Sequence, residues 1–226
     1  MTADTSSRDP SQSDVEHNDN AQKLAILADI TEQLRQLQEQ LVSHDISLKD
    51  LQLLQQSLST SQQALQAYQP HELANHLLSR PIAHFNFPAG PDNPNAILPY
   101  SPVTGRYNAI APNIDVQFDK ASKQITATVT CGRRFEGPPT CLHGGIIAAI
   151  YDQILAMCAS CNLLAGPTAN LSIDYLAPTP LFQELSFTAR IDKVEGRKVF
   201  IIGECFADQL LCSRAQGLFI HYQGDA

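Results

Sequence analysis

The sequence has no hydrophobic run long enough for a membrane span, since no segment approaches the ~20 consecutive apolar residues that a transmembrane helix needs. The first 20 residues have neither a basic start nor an apolar core, so they do not resemble a secretory signal. They are also too acidic for a typical transit peptide. We therefore expect a cytoplasmic protein with no membrane span.

Basic residues are scarce as well. The chain carries 15 lysines and arginines against 23 acidic residues, which gives a formal net charge of −8. Nucleic acids and anionic membrane surfaces attract basic proteins. This balance argues against both as the main partner, and we expect no nucleic acid to bind.

The signatures of several common site types are missing too. There is no G-x-S-x-G nucleophile elbow, no phosphate-binding loop and no dinucleotide fingerprint. Among the six cysteines, Cys158 and Cys161 form a C-x-x-C pair. A zinc site needs four ligands, and neither a second pair nor a suitable histidine accompanies this one. We interpret the pair as core residues and expect no metal.

Four regions of different composition follow one another along the chain. Residues 1–20 are polar and acidic, which predicts a disordered tail. Residues 21–80 predict a helical or coiled-coil segment, and residues 81–112, dense in proline and asparagine, predict an irregular linker or loop. Residues 113–223 predict a folded domain.

The helical segment has a heptad pattern. From residue 21 to residue 68 there is no proline or glycine, and apolar residues recur at alternating spacings of three and four, at Leu27, Ile30, Leu34, Leu37, Leu41, Leu48, Leu51, Leu58 and Leu65. A break between two helices is predicted at residues 43–45, and a further short helix at 72–78. The pattern fits either a self-association device or helices that fold back on their own domain.

The last region predicts an α+β domain. Alternating segments at 114–119 and 124–131 predict a hairpin, and an apolar helix is predicted over Gly144–Ser160. Four further strands are predicted at 169–176, 184–194, 199–207 and 210–221. A helix that is apolar all round is buried on most sides, so we expect the antiparallel sheet to wrap around it.

Polar residues at the start and in the middle of this helix are candidates for chemistry. His143, Gly144 and Gly145 open the helix, where free backbone N–H groups suit an anion or a developing oxyanion. Asp152 follows on roughly the same side, and we expect it to be buried. A buried carboxylate needs a partner or a task, such as that of a general base or nucleophile. Alternatively, His-Gly-Gly is only a tight turn and Asp152 lies on a narrow solvent-facing stripe.

Three segments together resemble the hotdog-fold acyl-CoA thioesterases, in the group of the phenylacetyl-CoA-type and mitochondrial acyl-CoA hydrolases. They are EGPPTCLHGGIIAAIYDQILAMC, TANLSIDYLAPTPL and DKVEGRKVFI, in that order. The resemblance implies a hotdog fold and hydrolysis of acyl-CoA to a carboxylic acid and coenzyme A, without a cofactor. It also implies homodimers or homotetramers with active sites at the subunit interface.

The resemblance also implies roles for single residues. Asp152 would be the general base or nucleophile. The amide of Gly144 would polarise the thioester carbonyl, with His143 beside it, and Thr168 would help to hold the attacking water. Substrate-binding positions would be Gly145, Asn170, Asp174, Arg197 and Lys198. The last two suit the phosphates of coenzyme A, although a surface salt bridge is the alternative.

Two rival functions remain open at this point. One is a non-catalytic acyl-CoA sensor or scaffold on the same fold, with the helical segment passing on the signal. The other is a coiled-coil assembly protein that binds no coenzyme A.

Overall fold

The computed structural model describes residues 10–69, 94 and 98–222, with side chains from Asn18 onward. Its main feature is one six-stranded antiparallel sheet with strand order β1-β2-β4-β5-β6-β3. The strands are β1 (Asp115–Asp119), β2 (Gln124–Thr130), β3 (Thr168–Tyr175), β4 (Glu184–Glu195), β5 (Lys198–Ala207) and β6 (Leu210–Ile220). Every predicted strand is present within one or two residues of its expected ends.

The sheet buries one face because its strands alternate in sequence. Along β5 the residues at every second position are buried, from Val199 through Ile201 to Cys205, while their neighbours are half-exposed. The same alternation buries Leu185 and Phe187 of β4. Successive side chains of a strand point to opposite faces, so these residues form one apolar surface.

That surface packs on α3 (Gly144–Cys161), which crosses it as the central helix. Tyr151 lies at the centre, where its hydroxyl donates to the carbonyl of Ser213 at 2.9 Å and its ring meets that of Phe187 edge-on. The helix approaches β5 most closely at Gly203, where a Cβ would come within 3.2 Å of the Tyr151 ring and 2.6 Å of the Thr188 carbonyl oxygen. The predicted hotdog fold, with a sheet around one helix, is confirmed.

The helix α3 is long and apolar enough to cross a membrane by length and composition alone, but 56% of it is buried within the domain. This is the setting of a core helix. Cys158 and Cys161 are both buried in it as free thiols, in agreement with their interpretation as core residues.

Two further helices precede the domain. α1 spans Pro10–Ser43 and α2 spans Leu48–Leu65, so the predicted break at residues 43–45 is confirmed. The hydroxyl of Ser47 caps α2 by accepting from the amide of Asp50. The boundary predicted at residue 20 between tail and helix is wrong, because α1 already begins at Pro10, a residue that fits the first turn of a helix.

Two predictions lie wholly or partly outside the described residues: the short helix at 72–78 and the loop at 81–112. From residue 98 to 112 the structure shows only turns and bends, as the predicted loop requires.

The heptad residues of α1 are not its most buried ones, although Leu27 and Leu37 are half-buried. Ile30, Leu34 and Leu41 remain 47%, 43% and 39% exposed. The buried positions are Ala28, Thr31 and Arg35, which are spaced three and four apart and form a different, largely polar face. The helix does fold back on its own domain, therefore, and its most buried residues are ones that the heptad pattern does not mark. No residue of α2 is buried.

Candidate active site

His143 shapes the start of α3. It is the N-cap residue, and its Nδ1 accepts a 2.9 Å hydrogen bond from the amide of Gly145. An accepting Nδ1 carries no proton, so in the neutral ring the proton is on Nε2. Histidine is unusual as an N-cap, because serine, threonine, aspartate and asparagine usually fill that position.

The backbone amide of Gly144 is the one of the two glycine amides that can donate a hydrogen bond to a ligand. In the described part of the chain it makes no hydrogen bond as a donor, whereas the Gly145 amide donates to His143. A free N–H at a helix N-terminus carries partial positive charge and suits a carbonyl oxygen that gains negative charge. Of the two predicted glycine amides, only that of Gly144 can serve as an oxyanion donor without breaking an existing hydrogen bond.

An open cleft of about 650 Å³ lies beside this amide. Its walls are largely apolar and include Leu142, Ile147 and Pro178. The hydroxyl of Tyr175 closes one side by donating to the carbonyl of Gly144 at 2.9 Å. The cleft can accept an apolar group next to a carbonyl-binding donor.

Asp152 and Thr168, two of the predicted catalytic residues, lie in direct contact. The Thr168 hydroxyl donates to Asp152 Oδ1 at 2.8 Å, although 16 residues separate them in the chain. Asp152 itself is exposed in the single chain, so the expectation that it is buried is wrong. Its position on α3 lies on the stripe that the sheet does not cover, between the buried Tyr151 and the half-buried Gln153.

A β-bulge turns Thr168 towards the helix. Thr168 is paired with Phe219 and Asn170 with Leu218, so Ala169 is an extra residue in β3. Phe219 is fully buried on the inner face, and a residue paired with it lies on the same face. Without the bulge, strand alternation would direct the Thr168 hydroxyl away from Asp152.

The Gly144 amide and the Asp152 carboxylate are not adjacent in one chain. They are 152 − 144 = 8 residues apart on a continuous helix, which corresponds to about 12 Å at 1.5 Å per residue. A thioester carbonyl bound at Gly144 is therefore out of hydrogen-bonding reach of Asp152 of the same chain.

The structure does not bring Asn170 and Asp174 to this helix. Leu171 and Ile173 pack on the core, so the residues that alternate with them point to the opposite face of the sheet. There Asp174 is paired in register with Arg214, which makes a 2.9 Å ion pair with Glu204.

Arg197 and Lys198 lie at the same end of the sheet as Thr168. Val199 and Thr168 are both paired with Phe219 of β6, and Lys198 is one residue further towards the turn. Both cations are exposed, and Arg197 also donates to the carbonyl of His221 at 3.2 Å. They are therefore two strands away from Thr168, at the same end of the sheet.

Several buried residues of the core have a strongly raised pKa. Burial raises the pKa of Cys131, Cys158 and Cys205 to about 12 and that of Cys161 to about 11. Burial also raises the pKa of the Tyr151 phenol. Among the described residues there is no group of three or more His, Cys, Asp or Glu side chains that could hold a metal ion.

Two parts of the site were missed by the sequence reasoning. Tyr175 is the last residue of β3 and follows the inward positions Leu171 and Ile173, so strand alternation was a signal that could have identified it. The contact between the Ser101 hydroxyl and Gln153, at 3.0 Å, had no such signal because Ser101 lies in an irregular loop.

Comparison with known proteins agrees with the fold of the domain. A family model described as Thioesterase superfamily matches residues 141–212, which include the start of α3, Asp152 and Thr168. In its fold and in this match, the domain is similar to the hotdog domains of the thioesterase superfamily. The resemblance drawn from the sequence is confirmed.

Relatives with assigned names are similar over the same part. The chain is 36% identical over 110 residues to acyl-coenzyme A thioesterase THEM4 of Rattus norvegicus, covering 48% of this chain and 47% of that protein. It is 36% identical over 107 residues to the Xenopus laevis protein of the same name, covering 46% and 47%. The chain spans about half the length of the curated relatives it matches.

One solved structure is similar over much more of the chain. It is a crystal structure of a thioesterase superfamily protein, with a TM-score of 0.71 and 27% identity, covering 86% of this chain and 90% of the other. Because the hotdog domain alone is only about half of the chain, this likeness extends into the N-terminal part.

Proposed function

We propose that the protein is an acyl-CoA thioesterase, which hydrolyses the thioester bond of an acyl-CoA to give a carboxylic acid and free coenzyme A. The observation that carries this proposal is the pair formed by Asp152 and Thr168, because it presents an oriented carboxylate beside the central helix of a thioesterase-superfamily fold. The names of the THEM4 relatives support the same reaction.

Each of the site residues would have its own role in the hydrolysis. The Gly144 amide would donate to the thioester oxygen as it gains charge. Thr168 occupies Oδ1 of Asp152, which leaves Oδ2 to take a proton from water as the water attacks the carbonyl carbon. Collapse of the tetrahedral intermediate breaks the C–S bond, and the thiolate leaves as coenzyme A. Direct attack by Asp152 would instead form a mixed anhydride that water then opens.

The separation of about 12 Å between Gly144 and Asp152 leads us to propose that the site is shared between two copies of the chain. One subunit would supply the oxyanion amide of Gly144, and the other would supply Asp152 and Thr168. The exposure of Asp152 supports this arrangement, since a second subunit would cover it. A homodimer is the smallest assembly that provides two complete sites.

Coenzyme A would extend from this site along the surface. Arg197 and Lys198 are proposed phosphate contacts because they are exposed cations at the Thr168 end of the sheet. Gly145 would line the acyl cleft. Asn170 and Asp174 stay proposed substrate contacts, and their outward position means that they would have to meet coenzyme A on the outer face of the sheet or through a second subunit.

The proposal is tested by release of free thiol from a panel of short, long and aromatic acyl-CoAs. The Asp152→Asn protein is the matched blank, because it keeps all six cysteines and so the same dye background. Hydrolysis of any acyl-CoA of the panel by the wild-type protein but not by the Asp152→Asn blank supports the proposed thioesterase activity. If every member is stable but binds at micromolar concentration, the chain is a non-catalytic acyl-CoA sensor and the proposal fails.

A further inference from the structure

The contact between α1 and the hotdog domain includes polar side chains of the helix that are buried or half-buried. The exposed leucines of α1 take no part in it, whereas Arg35 is 6% exposed and Glu39 is half-buried against the domain. A buried guanidinium is costly unless it is hydrogen-bonded. An apolar face would attach the helix without that cost, so the hydrogen bonds of these polar side chains are the feature to follow.

Glu39 holds the turn that leads into α3. Its Oε1 accepts from the amide of Arg133 at 2.7 Å and its Oε2 from the amide of Arg134 at 3.2 Å, which caps the short 3₁₀ helix Arg133–Phe135. The N-cap residue, Gly132, makes no side-chain cap of its own. A Cβ at Gly132 would lie 2.5 Å from the Glu39 carboxylate, so the carboxylate occupies the space that a side chain there would need.

The 3₁₀ helix Arg133–Phe135 makes a direct hydrogen bond to His143 of the candidate site. The carbonyl of Phe135 accepts from the amide of His143 at 2.9 Å. His143 in turn caps α3 through Gly145. The path from the Glu39 carboxylate to the oxyanion turn therefore consists of two hydrogen-bonded contacts and one short 3₁₀ helix.

Arg35 makes hydrogen bonds to the backbone of a second loop, at residues 105–108. Its Nη2 donates to the carbonyls of Gly105 and Asn108, both at 2.9 Å, and lies 3.4 Å from that of Arg106. The same loop returns to Ser101, whose carbonyl accepts from the Gly105 amide at 3.0 Å. The Ser101 hydroxyl donates to Gln153, the neighbour of Asp152 on α3.

We propose that α1 is a working part of the catalytic domain, in which Glu39 and Arg35 are positioning residues. Glu39 sets the turn that carries His143 and Gly144, and Arg35 sets the loop that contacts α3 beside Asp152. This inference rests on the proposed thioesterase function, and it assigns the N-terminal helix a role in turnover. Directional hydrogen bonds fix the register of the helix on the domain, which a sliding apolar contact does not.

The first test is Glu39→Ala, with Asp29→Ala as the matched control, since Asp29 is an exposed acid on the same helix. Displacement of a catalytic group by about 1 Å can reduce turnover by up to ~10²-fold. We expect Glu39→Ala to lower kcat about tenfold or more with KM within about threefold, and Asp29→Ala to change neither. Arg35→Lys keeps the charge but loses the guanidinium fork, so kcat should also fall.

A second variant displaces Glu39 without altering it. At Gly132 the backbone φ is −95°, which alanine adopts readily, and the three atoms nearest to an added Cβ all belong to the flexible carboxylate end of Glu39. We expect the folded protein to show the same loss of kcat as Glu39→Ala. Thermal unfolding of each variant gives the fraction of folded protein at the assay temperature, and kcat is expressed per folded molecule. A variant that is only less stable then shows a normal kcat.

Amide hydrogen exchange gives a readout that does not need activity. In Glu39→Ala and Gly132→Ala the amides of His143 and Gly145 should exchange faster than in the wild type, because the turn that holds them is released. Unchanged exchange at both amides together with unchanged kcat per folded molecule would overturn the positioning role. An inactive wild type whose amides do respond would reject the thioesterase proposal and leave the mechanical coupling in place.

Discussion

The hydroxyl of Thr168 donates a 2.8 Å hydrogen bond to Oδ1 of Asp152. A carboxylate can only accept, so the direction of this hydrogen bond is fixed as long as Asp152 is ionised. The bond holds one oxygen of the carboxylate and leaves the other free, which is the arrangement a general base requires. It also depends on the bulge at Ala169, without which the threonine would face the other way.

Removing this hydroxyl should weaken catalysis more than binding. Thr168→Val keeps the shape of the side chain and loses the donor, and hydrogen bonds to charged groups contribute about 1.5–3 kcal/mol. We expect kcat to fall about tenfold or more with KM little changed, measured by thiol release. Thr168→Ser is the matched control, since it keeps the donor. Equal losses in the two variants would contradict the role of the hydrogen bond.

The Asp152→Asn variant tests the base itself. Asparagine is nearly isosteric but cannot accept a proton from water, so we expect turnover to fall ~10²-fold or more, the usual scale for a general base. Binding of acyl-CoA, measured by calorimetry, should persist, because the Gly144 amide and the proposed phosphate contacts are untouched. Normal turnover in this variant would rule out both the base and the nucleophile mechanism.

Much of the fold was predictable because the signals are local. The β1–β2 hairpin and the apolar helix Gly144–Cys161 follow from hydrophobic periodicity, which is written into neighbouring residues. The face of α1 that packs on the domain was not predictable in this way. Arg35 is buried because three loop carbonyls converge on it, and no periodic pattern records where a loop places its carbonyls.

Asp152 and Thr168 were candidates from the sequence, but the hydrogen bond between them was not predicted, because they lie 16 residues apart on different elements. The expectation that Asp152 is buried is wrong for the single chain, where its side chain is exposed. The separation of Gly144 from Asp152, by contrast, needed only the helical rise and could have been worked out from the sequence.

The buried thiols predict how stability depends on pH. Burial raises the pKa of Cys131, Cys158 and Cys205 from 9.0 to about 12. Above pH 9 the unfolded chain therefore loses thiol protons that the folded chain keeps, and the free energy of unfolding falls as pH rises towards 12.

The measurement is urea unfolding under reducing conditions at pH 8, 9 and 10.5. Each thiol should lower the free energy of unfolding by at most about 1.4 kcal/mol per pH unit. The Cys158→Ala variant lacks one of these groups and should show a shallower decline. A free energy of unfolding that is constant from pH 8 to pH 10.5 would contradict the prediction.

Subunit complementation tests whether the site is shared. Gly144→Ala places a methyl group near the Tyr175 ring, at an ordinary contact distance of 3.5 Å, so the fold should tolerate it while the methyl group crowds the oxyanion amide. Gly144→Ala and Asp152→Asn should each be nearly inactive alone. In a mixed dimer one site combines the intact glycine of the Asp152→Asn subunit with the intact aspartate of the Gly144→Ala subunit. Mixing the two proteins under exchange conditions should therefore restore roughly a quarter of wild-type activity, whereas a site contained in one chain would stay inactive in every mixture.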